Sequence, residues 1–172
     1  MKLVYSDQAL ELYEYTPTLF RLFPFYMKKV YFSTKIKLFS QIALWGGYRI
    51  YYLKERNDYI GYCLILTAKS PHYFFAGKHD VIVGPYYIDK KYRGKGYSNI
   101  LLNYVLNESG ITFENAYDYI ELNNIPSIKA SEKNGFKLIM RININDKSHK
   151  MVADSDGAYG VYKLCSQVRM NK

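Results

Sequence analysis

The 172-residue chain predicts a mixed α/β fold, and three observations carry that expectation. The runs "YRIYYLKE" and "YIGYCLILTA" flank the polar turn "RND" and read as an antiparallel hairpin. "DVIVGPYYI" leads through a turn with two glycines into a stretch of helical spacing. "AYDYIEL" leads into "NNIPSIKASEKNGF", a short helix with signals at both ends. Strands with helices between them make the class mixed, and the hairpin makes the sheet at least partly antiparallel.

Taken in order, Lys2 to Tyr5 reads as a short strand, and the residues from there to about Gly47 read as helices. Ser6 and Ser33 stand as N-caps and Gly46-Gly47 as a stop. After the hairpin, the third strand contains Gly84-Pro85, which argues for a bulge or splay instead of an ordinary central ladder. From Tyr97 to Asn107, residues Ile100, Leu101, Tyr104 and Val105 fall on one side of a helix. The later helix takes Asn123 or Asn124 as its N-cap, Pro126 in its first turn and Gly135 at its stop. Strands near Lys137 to Asn143 and Gly160 to Cys165 close the chain. No linker, repeat or low-complexity stretch divides it, so residues 1–172 are expected to form one domain.

Composition narrows the class. Aromatics make up 17%, with 20 tyrosines, and hydrophobic residues 49%, which is globular. No run has the length of a membrane span, and "MKLVYSDQAL" has no apolar core of a signal peptide. Cys63 and Cys165 lie among apolar residues and read as buried thiols of a cytoplasmic protein. Net charge is +9 and uneven. From Tyr15 to Lys54 the chain carries Arg21, Lys28, Lys29, Lys35, Lys37, Arg49 and Lys54 with no acid, interleaved with aromatics. That segment reads as a patch for an anionic ligand, a membrane-surface face, or a solvated face.

The glycine turn "YRGKGYSNILL", residues 92–102, joins strand to helix. Amides at a helix start carry partial positive charge, and glycines let an anion approach the backbone. Arg93 and Lys95 add cations. A P-loop is excluded, because the residue five before Gly94 is Asp89. The dinucleotide fingerprint fails because Asn99 stands where its third glycine belongs. The pattern Arg/Gln-x-x-Gly-x-Gly/Ala is met by Arg93 to Ser98, except that Ser98 fills the last small position.

Together, "YIDKKYRGKGYSNILL" and, about thirty residues on, "NNIPSIKASEKNGF" resemble the paired signatures of the GCN5-related N-acetyltransferase (GNAT) superfamily. The second is similar to that family's Asn-x-x-Ala-x-x-Leu-Tyr-Glu-Lys-x-Gly-Phe through Asn124, Ser127, Ala130, Ser131, Glu132, Lys133, Gly135 and Phe136. The resemblance covers about Tyr48 to Phe136 closely and the first 47 residues by topology alone. It implies a mixed, mostly antiparallel, V-splayed sheet flanked by helices, with acetyl-CoA as acyl donor. It also implies that the amides of Arg93, Gly94, Lys95, Gly96, Tyr97 and Ser98 cradle the pyrophosphate. Tyr86, Tyr87 and Ile88 would offer backbone groups to the pantetheine arm and the oxyanion, while Asn124 and Ser127 flank that arm.

The family pattern breaks at Ser131, where many members carry a Tyr that protonates the departing thiolate. A thiol pKa near 8.5 lets the thiolate leave without full protonation, and Tyr97 or Tyr119 stands as a substitute donor. Some members use a Glu five residues before the Asn motif. Tyr119 holds that place here, and Glu121, two residues on, shares its strand face. Glu121 is the first catalytic base candidate and Tyr119 the second. His72, His79 and His149 are too scattered to suggest a metal.

In the resembled family the segments before the hairpin line the acceptor side. Here they are basic and aromatic, which points to a small anionic amine such as a nucleotide-linked amino sugar. A protein or peptide N-acetyltransferase is the alternative, disfavoured by like charge on a basic tail. A non-catalytic CoA-binding domain and a nucleic-acid-binding module are the rival classes. The second has no recognition motif, so no nucleic acid is expected as partner. A homodimer and contact with a membrane surface stay open.

Overall fold

The computed structural model describes residues 1–7, 9–25, 32–145 and 149–165. Its backbone divides into two compact units, Met1–Thr67 with Val83–Ile111, and Ala68–Ile82 with Thr112–Lys172. Both are mixed α/β and mostly antiparallel, as the sequence predicts.

The first unit contains strands β1 (Lys2–Ser6), β2 (Leu10–Tyr15), β3 (Tyr48–Glu55) and β4 (Asp58–Thr67), then most of β5 (Val81–Ile88), in that spatial order. The hairpin appears where expected, with Tyr52 opposite Tyr62 and Glu55 opposite Asp58. Ile50, Tyr51, Tyr52 and Leu53 are all buried, so β3 is covered on both faces, as a continuous apolar run requires. Helix α1 (Phe32–Leu44) packs against β3, and α2 (Tyr97–Asn103) packs against β4. Gln41 of α1 is buried and donates from Nε2 to the carbonyls of Gly47 (3.2 Å) and Thr67 (2.9 Å).

Two expectations fail here. Leu10–Tyr15 is a strand, not a helix, because its burial follows a period of two: Leu10 and Leu12 are buried and Glu11 between them is not. Ser6 ends β1 and caps no helix; Asp7 Oδ1 holds the following turn, accepting from the amides of Ala9 and Leu10 at 3.0 Å each. Ser33 lies inside α1, whose preceding residues are outside the described ones. The helix expected from Tyr97 to Asn107 is α-helical to Asn103 and continues as a π-turn, Tyr104–Glu108, closed by Ser109 N–H on Tyr104 O at 3.0 Å.

In the second unit, β6 (Asn115–Glu121) pairs in parallel with Val81 and Ile82 of β5 and antiparallel with β9 (Tyr159–Cys165). Next come β7 (Lys137–Ile144) and β8 (Met151–Ala153), a short strand not foreseen in the sequence. Helix α3 (Ile125–Lys133) follows β6 directly. Cys63 is buried, but Cys165 is exposed, contrary to expectation, because it is the last residue of β9.

Candidate active site

The glycine turn lies in the first unit, directly after β5. Asp89 caps a 3₁₀ turn, Lys90–Tyr92, by accepting from Lys91 N–H at 3.0 Å. Gly94 and Gly96 then take φ of +80° and +82°, the left-handed region that only glycine enters freely. A Cβ at either position would meet open space, so the surface above the turn is clear for a bulky group. Gly96 is the N-cap of α2 and supplies no side chain there, so the helix start presents only backbone.

Both cations of the turn are held. Arg93 donates from Nε to the Ile88 carbonyl at 2.9 Å, and its guanidinium lies 5.6 Å from the Tyr87 ring centre. The Lys95 ammonium stands 5.4 Å from the Tyr92 ring centre and 5.8 Å from that of Tyr97. Tyr92 in turn donates to Asp58 Oδ2 at 2.7 Å, and Tyr97 donates to Glu55 Oε1. The hydroxyl of Tyr97 thus donates within the first unit.

Upstream, Tyr86 and Tyr87 are half-buried and Ile88 is buried. A Cβ on Gly61 would fall 2.6 Å from the Tyr87 carbonyl oxygen, so β4 and β5 approach there more closely than any other residue allows. A row of tyrosines crosses this unit: Tyr13 opposite Tyr52, Tyr52 opposite Tyr62, and Tyr62 5.9 Å from Tyr87 by ring centres. Phe25 lies on Tyr52 and Tyr59, 4.6 Å from each.

The second motif lies in the second unit. Asn124 is the N-cap of α3, its Oδ1 accepting from Ser127 N–H at 3.4 Å, with Pro126 in the first turn. Glu121 is exposed at the end of β6. Tyr119, on the same face, is half-buried and lies 6.4 Å from Tyr73 by ring centres. Desolvation, reinforced by Asp118, pushes its hydroxyl up to about 12. Ser131 is fully buried, and its Oγ donates to Asp118 Oδ2 at 2.5 Å. The position that carries a Tyr in the resembled pattern therefore serves the interior of this unit. Among the described residues no group of His, Cys, Asp and Glu could hold a metal ion.

Of the seven cations between Tyr15 and Lys54, two meet acids of β2. Lys54 lies 2.8 Å from Glu11, and Arg49 lies 3.5 Å from Glu14. Lys28 and Lys29 lie outside the described residues. That Glu55 and Asp58 accept from the two tyrosines of the turn was not legible in the sequence, since only the fold brings them to a turn some forty positions away; their one local signal is a pair of acids flanking a hairpin tip.

A strand, a left-handed glycine turn and a helix start with two ring-supported cations form a backbone surface whose chemistry suits an anion. The model of the acetyltransferase (GNAT) family matches residues 12–136, and the chain belongs to that family. It is accordingly an acyltransferase. Among solved structures, NAA60 of Arabidopsis thaliana in complex with acetyl-CoA is similar with a TM-score of 0.58 and 15% identity, over 91% of this chain and 98% of that one. The yncA protein of Salmonella typhimurium with its cofactor acetyl-CoA has a TM-score of 0.55 and 19% identity, over 80% and 75%. An N-acetyltransferase from Staphylococcus aureus Mu50 has 0.55 and 18%, over 90% and 98%. At such identities the likeness is one of fold. None of the curated proteins compared matches the chain.

Proposed function

We propose that the chain, acting as one catalytic domain in the cytoplasm, transfers the acetyl group of acetyl-CoA to the primary amine of a small anionic acceptor, such as a nucleotide-linked amino sugar. The observation that carries the donor half is the left-handed glycine turn with clear space above Gly94 and Gly96. Amides of Arg93 to Ser98 take the pyrophosphate there, with Arg93 and Lys95 beside it. Backbone groups of Tyr86, Tyr87 and Ile88 align the pantetheine arm, and one of their amides stabilises the oxyanion. Asn124 and Ser127 contact the same arm.

The neutral amine nitrogen attacks the acetyl carbonyl carbon. A C–N bond forms, the C–S bond breaks, and CoA leaves as its thiolate. The proton shed by the new amide nitrogen passes to Glu121 or to water. With its hydroxyl pushed up to about 12 by burial, Tyr119 stays protonated at neutral pH, and we place it second to Glu121 as the base. As an acid near 12 it is also weaker than a thiol near 8.5, so full protonation of the leaving thiolate by Tyr119 is uphill. The thiolate departs without that help.

The acceptor half rests on charge and aromatics in the first unit. Lys54 and Arg49 are paired to acids, while among the described residues neither Arg21 nor Lys37 makes a salt bridge to a carboxylate. The half-buried rings of Tyr13, Tyr59 and Tyr62 stand near Phe25 and offer surface for stacking.

Thermal melting with acetyl-CoA, CoA or duplex DNA tests the donor reading. Acetyl-CoA and CoA should raise the midpoint and DNA should not. Gly96→Glu puts a carboxylate at the turn, and Ser98→Glu does so without a positive φ; each should abolish the shift while the ligand-free protein still melts cooperatively. Full shifts in both variants would refute the assignment. Turnover across an amine panel tests the acceptor: a preference for polycationic peptides over anionic amino sugars overturns it. CoA binding with no turnover on any amine makes the chain a non-catalytic binder.

A further inference from the structure

Two tyrosines of the glycine turn reach back to the tip of the β3–β4 hairpin. Tyr92 ends the 3₁₀ turn before Arg93 and donates to Asp58 Oδ2 at 2.7 Å. Tyr97 opens α2 after Gly96 and donates to Glu55 Oε1. Glu55 and Asp58 are themselves directly opposed across the hairpin, flanking Arg56 and Asn57. The span Arg93–Gly96 is therefore tied at both ends to one rigid tip.

That arrangement answers a physical problem. A turn with glycines at φ of +80° and +82° has much freedom in isolation, and a ligand that must order it binds more weakly for doing so. Fixing Tyr92 and Tyr97 fixes the two rings between which the Lys95 ammonium stands, 5.4 and 5.8 Å from their centres. The backbone cradle and its cation are thus set by the same pair of hydrogen bonds. Since each carboxylate favours the protonated phenol, the hydroxyl of Tyr92 rises to about 12 and that of Tyr97 rises too, so both remain donors at neutral pH.

We propose that Glu55 and Asp58 are positioning residues for the acyl donor: acting through Tyr97 and Tyr92, they hold the glycine turn in its anion-binding form and present Lys95 to the pyrophosphate. This rests on reading Arg93–Ser98 as the site of the CoA pyrophosphate. It assigns a role in donor affinity to residues that touch neither donor nor acceptor.

The test measures acetyl-CoA binding by calorimetry on the full chain and on Asp58→Asn, Glu55→Gln and Tyr92→Phe. Tyr92→Phe keeps the ring beneath Lys95 and removes only the hydroxyl, so it guards against misfolding. Each variant should bind acetyl-CoA about tenfold more weakly, the scale of one lost hydrogen bond to a charged partner. The KM for acetyl-CoA should rise while kcat holds. The KM for S-acetyl-N-acetylcysteamine, a thioester with no phosphate, should stay the same, which a general loss of structure would not permit. In a double-mutant cycle, Asp58→Asn with Tyr92→Phe should be no worse than either alone. If the unaltered chain binds no acetyl-CoA, the donor reading fails and this inference with it. If it binds and the three variants bind as tightly, or if the truncated thioester suffers equally, the donor reading stands and the positioning role is refuted.

Discussion

Ser131→Ala separates a structural serine from a catalytic one. Ser131 has no exposed surface, Asp118 has 5%, and the Oγ–Oδ2 distance is 2.5 Å, a short bond typical of a carboxylate acceptor. Removing the hydroxyl leaves a buried carboxyl oxygen facing a methyl group, which costs about 1–3 kcal/mol. For a chain of this size each kcal/mol lowers the melting temperature by roughly 2–4 °C, so the middle of the range is a fall of about 6 °C. Urea titration of both proteins gives the free energy directly, and the same samples give kcat with acetyl-CoA. Stability should fall and kcat should hold within about twofold. A proton donor to the leaving thiolate would behave in the opposite way, since loss of general acid catalysis lowers the rate by about 10²–10⁴. A large drop in kcat at unchanged stability would refute the structural reading. Ser131→Tyr, which introduces the ring that the family pattern carries, should not restore an acid. The site has no room for a phenol, and overpacking of this kind typically costs about 1–3 kcal/mol or more.

Gly61→Ala should destabilise the first unit by about 1–3 kcal/mol in urea, although alanine in a strand normally gains about 0.5–1 kcal/mol over glycine. The new Cβ would stand 2.5 Å from Ile88 Cδ1, which can turn away, and 2.6 Å from the Tyr87 carbonyl, which cannot. Unchanged or raised stability would show that the two strands are not so close. Alkaline titration should follow tyrosine. Burial raises the hydroxyls of Tyr51 and Tyr119 to about 12 against an ordinary 10. Above pH 10 the unfolded chain releases protons that the folded chain keeps, so stability is fully present below pH 10 and is lost as pH rises toward 12. Urea midpoints followed beside tyrosinate absorbance check the window; a loss of stability from these groups well below pH 10 would contradict it.

What could be read from the sequence was local chemistry. The hairpin shows as alternation around a polar turn, and α3 as an asparagine cap, a first-turn proline and a terminal glycine at φ +89°. The glycine turn shows because two left-handed positions so close together admit little but glycine. What escaped depended on partners. Leu10–Tyr15 is a strand because β1 and β3 flank it, and β8 exists because β7 offers it an edge. Ser131 looked like a lost acid until Asp118, thirteen residues away in sequence, proved to be its neighbour.

Charge shows the same limit most sharply, and it bears on function. Counting from Tyr15 to Lys54 gives seven cations and no acid because the window stops just short of Glu11 and Glu14. Antiparallel pairing sets Glu11 directly opposite Lys54 and brings Glu14 to Arg49, so two of the seven are spent on holding β2 to β3. In the glycine turn the reverse holds. Arg93 and Lys95 have no salt bridge to an acid among the described residues; they lie on tyrosine rings, and the acids Glu55 and Asp58 bond those tyrosines instead. A carboxylate in direct contact would have neutralised Lys95, whereas a ring supports the ammonium and leaves its charge available to an incoming anion. The excess of tyrosine in this chain therefore has a consequence at the glycine turn, where aromatic rings take the place that counter-ions would otherwise fill.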